Sequence, residues 1–332
     1  MEDRFRIILN EVNRLNHKLA PLTESGALSA IAVVMALISV YVPVLGTVMA
    51  IIWPLPIIIL SVRHGVRWGI MASIVSGVLI ALLIEPMTAV RMIVAFAPVG
   101  LMLGFAYRKK YSAVKSLLSS ICVSIIAKSA VLLMVMLLMN INPLTMQVDM
   151  LKEAFEMSLD IYRGAGMSET QLAQMDIDFQ KGLQLVTMLF PLIIILMGAL
   201  DAYVNFAVAG KVLRRLGHKD LPTLPSFEEW RLPRFLVYLY GFSLVGMYWG
   251  GTRELTVLYQ ISINANMLAT FLGLIQGLAL LQYAANRYQL SKLMRGIIII
   301  LILTNGAFIQ ILGFTGLFDI LFDYRRRFTM KK

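Results

Sequence analysis

The sequence predicts an all-α, polytopic helical membrane protein with about eight or nine transmembrane helices. Composition is the first observation: 59% of the 332 residues are hydrophobic, only 15% are charged, and the mean hydropathy is +0.78. A soluble domain of this length has no core large enough for so much apolar side chain. The second observation is that the apolar runs are continuous and do not alternate, which excludes a transmembrane β-barrel.

Apolar runs of about 17 to 25 residues are long enough to cross the hydrocarbon core of a bilayer. They begin only after a charged and mostly polar start, so the sequence predicts no cleavable signal peptide. In chain order the candidate spans are Gly26–Val42, Gly46–Val62, Trp68–Ile84, Ala89–Tyr107, Val114–Met139, Leu183–Ala209, Phe235–Trp249, Thr256–Ala284 and Gly296–Phe314.

The formal net charge of +11 arises from Lys and Arg that cluster beside the spans. Cytoplasmic links of membrane proteins are enriched in these residues. The pattern therefore predicts a multi-pass protein of the plasma membrane with a cytoplasmic N-terminus, and no nucleic-acid partner. The clustered cations are Arg4, Arg6, Arg14, Lys18, Arg108, Lys109, Lys110, Lys115, Lys211, Arg214, Arg215, Lys219, Arg231 and Arg234.

The link of residues 141–181 carries more carboxylates than cations, which favours an external position. Its apolar residues from Met150 to Tyr162 share one helical face, and SETQ (Ser168–Gln171) is a capping box. We expect two short amphipathic helices that lie on the bilayer surface or cap a cavity between the spans.

The basic C-terminus reaches the cytoplasm only if the number of crossings is even. An even count, which we favour, arises in either of two ways. Phe235–Trp249 is short and could be re-entrant, or Gly296–Tyr324, with Gly306, Gly313 and Gly316, could fold back on itself.

Four parts follow from these patterns. A cytoplasmic N-terminal segment (1–25) precedes a six-helix membrane domain (26–210) that includes the external link (141–181). A basic, proline-containing cytoplasmic link (211–234) comes next, and C-terminal membrane helices with a basic tail (235–332) complete the chain. The basic link is either a plain connector or a docking segment for a cytoplasmic partner.

No motif predicts an enzyme, a cofactor or a metal site. The patterns HExxH, GxxxxGK[ST] and GxSxG are absent from the sequence. The three histidines lie in links, and the single cysteine, Cys122, lies within a span. We expect a protein that is not an enzyme and does not hydrolyse ATP through a Walker A loop.

Lys128 lies in the middle of the fifth span, where an unpaired charge costs at least ~2.5–3.5 kcal/mol. Asp201 in the next span lies about five residues away in depth if the two helices are antiparallel neighbours, so a lysine could reach it. Asn205 shares a helical face with Asp201. The three form either a structural pair with a polar neighbour or part of a ligand or proton path.

Small residues form stripes along several spans, at spacings that let helix backbones approach closely. One stripe on the first span contains Ala32 and Ala36, and others lie on the third and eighth spans. Internal packing is the simpler interpretation, and a partner helix is the other. Polar residues of the last spans, expected to face the bundle interior, are Arg253, Glu254, Asn264, Asn266, Gln276, Asn305 and Gln310.

The run LTESGALSAIAVVMALISVYVPVLGTVMAIIWPLPIIILSVRHGVRWGIMASIVSGVLIALL (Leu22–Leu83) resembles the opening of the vitamin-uptake S components of energy-coupling-factor transporters. The resemblance covers residues 22 to about 210. It implies a six-span fold in which Ala32 and Ala36 match the AxxxA element that contacts a membrane coupling subunit, itself served by ATPases. S components bind vitamins near the external face, which implies that Trp53, Glu85 and Arg91 are candidate ligand-wall residues.

The stretches DLPTLPSFEEWRLPRF and GLFDILFDYRRRF make the whole chain similar to the YybS-type membrane proteins of Gram-positive bacteria. That resemblance implies a distant relationship to S components with extra C-terminal spans, and no particular activity. Two functions stay open. The protein is a transporter-like subunit that binds an unidentified small molecule, or it is a non-transporting membrane scaffold that docks partners.

Overall fold

The structure, a computed structural model, describes the backbone of residues 2–140 and 142–329 and the side chains of residues 20–138, 140 and 142–326. The described chain is helical, without a β-strand, which confirms the all-α class. Some of the cations that were predicted to set the topology have side chains outside this described part. They are Arg4, Arg6, Arg14 and Lys18 near the N-terminus and Arg327, Lys331 and Lys332 in the basic C-terminus.

Fourteen α-helices cover most of the described residues, with one 3-10 turn at Phe227–Glu229. The helices are α1 (Glu2–Tyr41), α2 (Leu45–Ile51), α3 (Leu55–His64), α4 (Val66–Leu83), α5 (Pro86–Arg108), α6 (Ala113–Met139), α7 (Pro143–Gly164), α8 (Glu169–Met188), α9 (Phe190–Arg215), α10 (Phe235–Thr252), α11 (Thr256–Arg287), α12 (Lys292–Thr304), α13 (Gly306–Phe322) and α14 (Tyr324–Thr329).

Seven segments of the described chain are long and apolar enough to cross a membrane, or eight if the bent pair α12–α13 is one span. They are α1 from Ala20, α2 with α3, α4, α5, α6, α9 and α11. The protein is therefore a multi-pass membrane protein, with a count one below the predicted eight or nine, or equal to eight if the bent pair is one span. α10, which contains the short predicted span, is not among the seven.

α12 and α13 meet at a bend of 106°. Asn305 leaves the helical conformation there and serves both as the C-cap of α12 and as the N-cap of α13, where its side chain accepts from Ala307 N–H at 3.0 Å. With seven other spans, the number of crossings is even only if this bent pair is one span, so the side of the C-terminus stays a prediction.

The described chain divides into two compact units, each with its own core. The first unit contains residues 1–147 and 194–224, and the second contains residues 148–193 and 225–332. In the first unit, α5 packs against α3, α4 and α6, and α1 packs against α2, α3 and α4. The small-residue stripes lie at these contacts: a Cβ on Gly104 would be 2.3 Å from the Ser61 Cβ.

α11 is the centre of the second unit, where it packs against α10 and α13. Its glycine stripe meets a second stripe on α13, because a Cβ on Gly316 would lie 1.8 Å from the Gly273 carbonyl oxygen. Internal packing therefore explains this stripe.

The expectation that the polar residues of the last spans face inward is only partly correct. Gln276 is buried, and Asn264 and Asn266 are half-buried. Arg253 and Glu254 are exposed because they form the turn between α10 and α11. Asn305 is exposed at the bend, and Gln310 is exposed on α13.

The link between α6 and α9 forms the predicted helical pair, α7 and α8. Ser168 accepts from the Gln171 N–H, and the Gln171 side chain accepts from the Ser168 N–H, which confirms the capping box. The rings of Phe155 and Phe179 stack at 3.9 Å. The described structure buries no residue of α7, so its apolar face is open, as at Met150, and what it covers stays a prediction.

Candidate functional site

The second span is broken in the middle, between α2 and α3. Ile52, Trp53 and Pro54 form a turn, since Pro54 has no N–H to continue the helix. In an uninterrupted helix, Leu55 N–H would donate to Ile51 O. Here it donates to Ile52 O at 3.0 Å, which releases the Ile51 carbonyl for another donor.

Asn205 on α9 supplies that donor. Its Nδ2 donates to Ile51 O at 2.8 Å and to Asp201 Oδ1 at 3.0 Å. Asn205 is fully buried, and its Oδ1 has no hydrogen-bond partner in the described part of the chain. Since a buried acceptor without a partner costs free energy, this oxygen marks a place where a ligand or water could donate.

Lys128 on α6 reaches the same carboxylate, as the depth of the two residues predicted. Its Nζ lies 2.7 Å from Asp201 Oδ2 and donates to Ser124 Oγ at 3.0 Å, and Ser124 Oγ donates to Asp201 Oδ2 at 2.9 Å. The Nζ also lies 5.1 Å from the centre of the Phe96 ring. We call Ser124, Lys128, Asp201 and Asn205 the α6–α9 polar cluster.

Burial differs across the α6–α9 polar cluster. The Asp201 side chain is 4% exposed and that of Lys128 is 18% exposed. A buried charge requires a partner and hydrogen bonds, and each ion here has both. The cluster combines a cation, a carboxylate, a hydroxyl and an amide, which are groups that can hold a small polar solute.

Trp53 does not line an open cavity. It is fully buried, and its indole Nε1 donates to Ala32 O at 2.9 Å, because the turn between α2 and α3 directs the ring onto α1. Ala32 and Ala36 are 1% and 0% exposed in the same apolar cluster. The structure therefore corrects two expectations: Trp53 belongs to the core, and the two alanines offer no exposed face to a partner helix.

Glu85 and Arg91 pair at 3.1 Å. Thr88 donates to the Glu85 carboxylate and accepts from Arg91 at 2.9 Å. About half of each charged side chain is exposed, at 52% for Glu85 and 47% for Arg91. The pair lies on a rim where α4 meets α5. No described hydrogen bond connects it to the α6–α9 polar cluster.

A second polar network, not predicted from the sequence, lies in the second unit. Gln276 accepts from Leu232 N–H at 3.1 Å and donates to Asp319 Oδ2 at 2.6 Å. Asp319 pairs with Arg325 at 3.6 Å, and Arg325 donates to the Glu228 carbonyl. Burial lowers the pKa of the Arg325 guanidinium, and the Asp319 carboxylate opposes that shift. These contacts connect the end of the basic link, at Glu228 and Leu232, to α11, α13 and α14.

The two stretches that carry the family resemblance, DLPTLPSFEEWRLPRF and GLFDILFDYRRRF, both contribute residues to this network, although neither predicts the contact. Three of its side chains are at least nine-tenths buried: Gln276, Asp319 and Arg325. Within the described residues, no group of three or more His, Cys, Asp or Glu is placed to hold a metal ion.

A family model described as "Predicted membrane protein (DUF2232)" matches residues 30–320. The chain belongs to this family of membrane proteins. One relative, "Uncharacterized protein YybS" of Bacillus subtilis (strain 168), is 27% identical over 315 residues, which cover 92% of this chain and 97% of the relative. No solved structure matches the chain. The family match includes residues of both units. The predicted membership of the YybS-type family is confirmed. Neither match names a coupling-factor transporter.

Proposed function

We propose that this protein is a transporter-like subunit of the plasma membrane that binds a small polar molecule and has no ATPase or catalytic activity of its own. One observation carries the proposal. Asn205 joins the broken α2–α3 span to the Lys128–Asp201 pair. Transporters place substrate sites where interrupted helices expose backbone groups within the membrane, and ionisable residues at that depth usually serve a function.

The chemistry of the α6–α9 polar cluster defines the ligand class. Lys128 favours an anionic or strongly accepting group, while Asp201 and Asn205 Oδ1 favour donors. A small solute that carries both kinds of group would take over the contacts that the pair now makes with itself. Entry past Lys128 is the simplest route, because Lys128 is the more exposed member of the pair.

The resemblance to S components supplies the remaining parts of the proposal. The N-terminus and the basic links lie in the cytoplasm, the solute comes from outside, and a separate membrane coupling subunit with ATPases supplies the energy. Since Ala32 and Ala36 are buried, that coupling subunit contacts a different surface.

Purification from native membranes tests this proposal. Tagged protein is extracted in mild detergent, and mass spectrometry identifies both the proteins and the small molecules that accompany it. Asp201→Asn preserves shape and removes the charge. Ser119→Ala removes a hydroxyl from α6 whose one hydrogen bond among the described residues is to Ser116 O in the same helix. We expect the same metabolite to accompany the wild type and Ser119→Ala. The amount that accompanies Asp201→Asn should be at least tenfold lower. Equal recovery from all three proteins would refute the site.

A scaffold function is the second candidate, and the filled interior of the first unit favours it. Trp53, Ile57, Ile58 and Leu60 are all fully buried there. A scaffold would retain other membrane or cytoplasmic proteins in the same purification, with no small molecule and no coupling ATPases. The α6–α9 polar cluster would then be a structural element only.

A further inference from the structure

A cavity of about 210 Å³ lies at the C-terminal end of α9, within the first unit. We call it the α9 cavity. Its floor is formed by one face of α9 that includes Tyr203, Phe206 and Gly210, and its rim carries Lys211 and Arg214. Nothing in the proposed solute site uses these residues.

The chain after α9 forms the opposite wall of the α9 cavity. Gly217, with a φ of +95°, reverses the chain direction, a conformation that glycine adopts without strain. The following segment runs back without helical structure, and Leu221 and Leu224 pack against the buried cluster that contains Phe206 and Leu213. The cavity is therefore a fixed feature of the fold, with an apolar base and a polar mouth.

The charge of the α9 cavity is one-sided. Its nine described lining residues include two cations and no carboxylate. The Arg214 guanidinium lies back over Gly210, where an added Cβ would be 3.6 Å from its Nη2. The polar cavity of the second unit differs, because two of its guanidinium groups face carboxylates: Arg231 pairs with Asp323, and Arg325 pairs with Asp319.

The position of the α9 cavity identifies the source of an anion. α9 is a membrane span whose last turn contains Arg214, so the cavity lies where the span meets water. Lipid phosphates occupy that level, and basic pockets beside cytoplasmic helix ends bind anionic headgroups.

We propose that the α9 cavity binds the phosphate headgroup of an anionic phospholipid. Arg214 holds two phosphate oxygens in a bidentate contact, and Lys211 adds a third donor. The glycerol backbone lies beside Gly210 and Ala207, and the acyl chains extend along α9 past Phe206 and Tyr203 into the bilayer. The bound lipid fixes the segment of residues 217–224 against α9.

Thermal unfolding of the purified full-length protein tests the lipid site. The probes are short-chain phosphatidylglycerol, short-chain phosphatidylcholine and glycerol phosphate, each titrated into the same detergent. The site variant is K211Q/R214Q, and the matched control is R215Q/K219Q, which removes equal charge from exposed positions outside the cavity lining. All four residues are exposed, so folding should tolerate both variants.

We expect phosphatidylglycerol to raise the Tm of the wild type and of R215Q/K219Q. Its apparent affinity for K211Q/R214Q should fall about 25-fold, which is about fivefold for each cation. R214K in the otherwise wild-type chain should retain an intermediate affinity, since it keeps the charge and loses the bidentate contact.

Two outcomes would overturn the proposal: equal loss in both double variants, which indicates unspecific charge attraction, and equal shifts with phosphatidylcholine. A shift by glycerol phosphate equal to that by phosphatidylglycerol, and lost only in K211Q/R214Q, would support the phosphate site and assign it to a soluble phosphate. Since these readouts do not involve the α6–α9 polar cluster, they stand apart from the test of solute binding.

Discussion

Lys128 Nζ lies 2.7 Å from Asp201 Oδ2, although 73 positions separate the two residues in the sequence. The two helices that carry them, α6 and α9, also meet closely at Gly198, where an added Cβ would be 2.8 Å from an Ile125 side-chain carbon. The ion pair thus lies at a tight helix contact. This position gives it a structural role whether or not a solute also uses it.

Lys128→Met should destabilise the protein by about 3 kcal/mol, because it leaves the Asp201 carboxylate buried without its cation. Asp201→Asn added to Lys128→Met should recover part of that loss, since it removes the orphaned charge. Thermal unfolding in detergent of the two single variants and the double variant measures the coupling.

Lys115→Met on the same helix is the matched control. Lys115 lies over the Tyr111 ring near the start of α6 and not in the cluster, so its removal should cost less than about 1 kcal/mol. Additive losses in the double variant would show that the Lys128–Asp201 contact contributes no coupling energy.

Gly316→Ala should destabilise the second unit by about 1–3 kcal/mol or more. The new methyl group would meet the Gly273 carbonyl oxygen and the Gly277 nitrogen, so that α11 and α13 must separate. Gly296→Ala is the control, since in the described part of the chain no atom beyond the neighbouring residues and backbone of α12 would lie within 4 Å of its Cβ. That change should be neutral or stabilising by up to about 1 kcal/mol. Similar effects of the two substitutions on Tm would argue against the close α11–α13 contact.

Asp319→Asn should loosen the segment that precedes α10, because Asp319 connects Gln276 and Arg325 to it. Hydrogen exchange of peptides covering residues 226–232 should increase by at least tenfold, corresponding to a loss of ~1.4 kcal/mol or more.

Asp323→Asn supplies the comparison for Asp319→Asn. Asp323 is 38% exposed and pairs with an exposed Arg231, so exchange of the same peptides should change less than about fivefold. Faster exchange in Asp323→Asn than in Asp319→Asn would contradict the assignment of the buried network as the fastening element.

Cysteine labelling measures the predicted topology. In a Cys122→Ser background, Glu153→Cys on α7 should react with a membrane-impermeant maleimide on intact cells. Lys219→Cys, in the basic link, should react only after the membrane is opened, because basic links favour the cytoplasmic side. Labelling of Lys219→Cys on intact cells would reverse the orientation proposed for the protein.

Local patterns in the sequence were sufficient for several elements. The apolar runs located the spans, and SETQ located the start of α8 at its Ser168 cap. Lys128 stood out because its chemistry conflicts with its surroundings. The partner of Lys128 could be inferred from depth alone, since each residue of a helix advances by a fixed rise. Trp53 was a ligand-wall candidate only through the resemblance to S components, and it is fully buried because the direction of its ring depends on a turn that Pro54 imposes.

The sequence by itself determined the membrane environment, the helical class, and the charged residues that require partners. These follow from the transfer of apolar side chains and the cost of unpaired groups in lipid, which depend on residue type and local order. The tertiary structure decided which backbone carbonyl accepts the Asn205 side-chain N–H, that Ala32 and Ala36 are covered, and that the Gln276–Asp319–Arg325 network exists. Such contacts depend on where distant segments meet, and no local pattern encodes that.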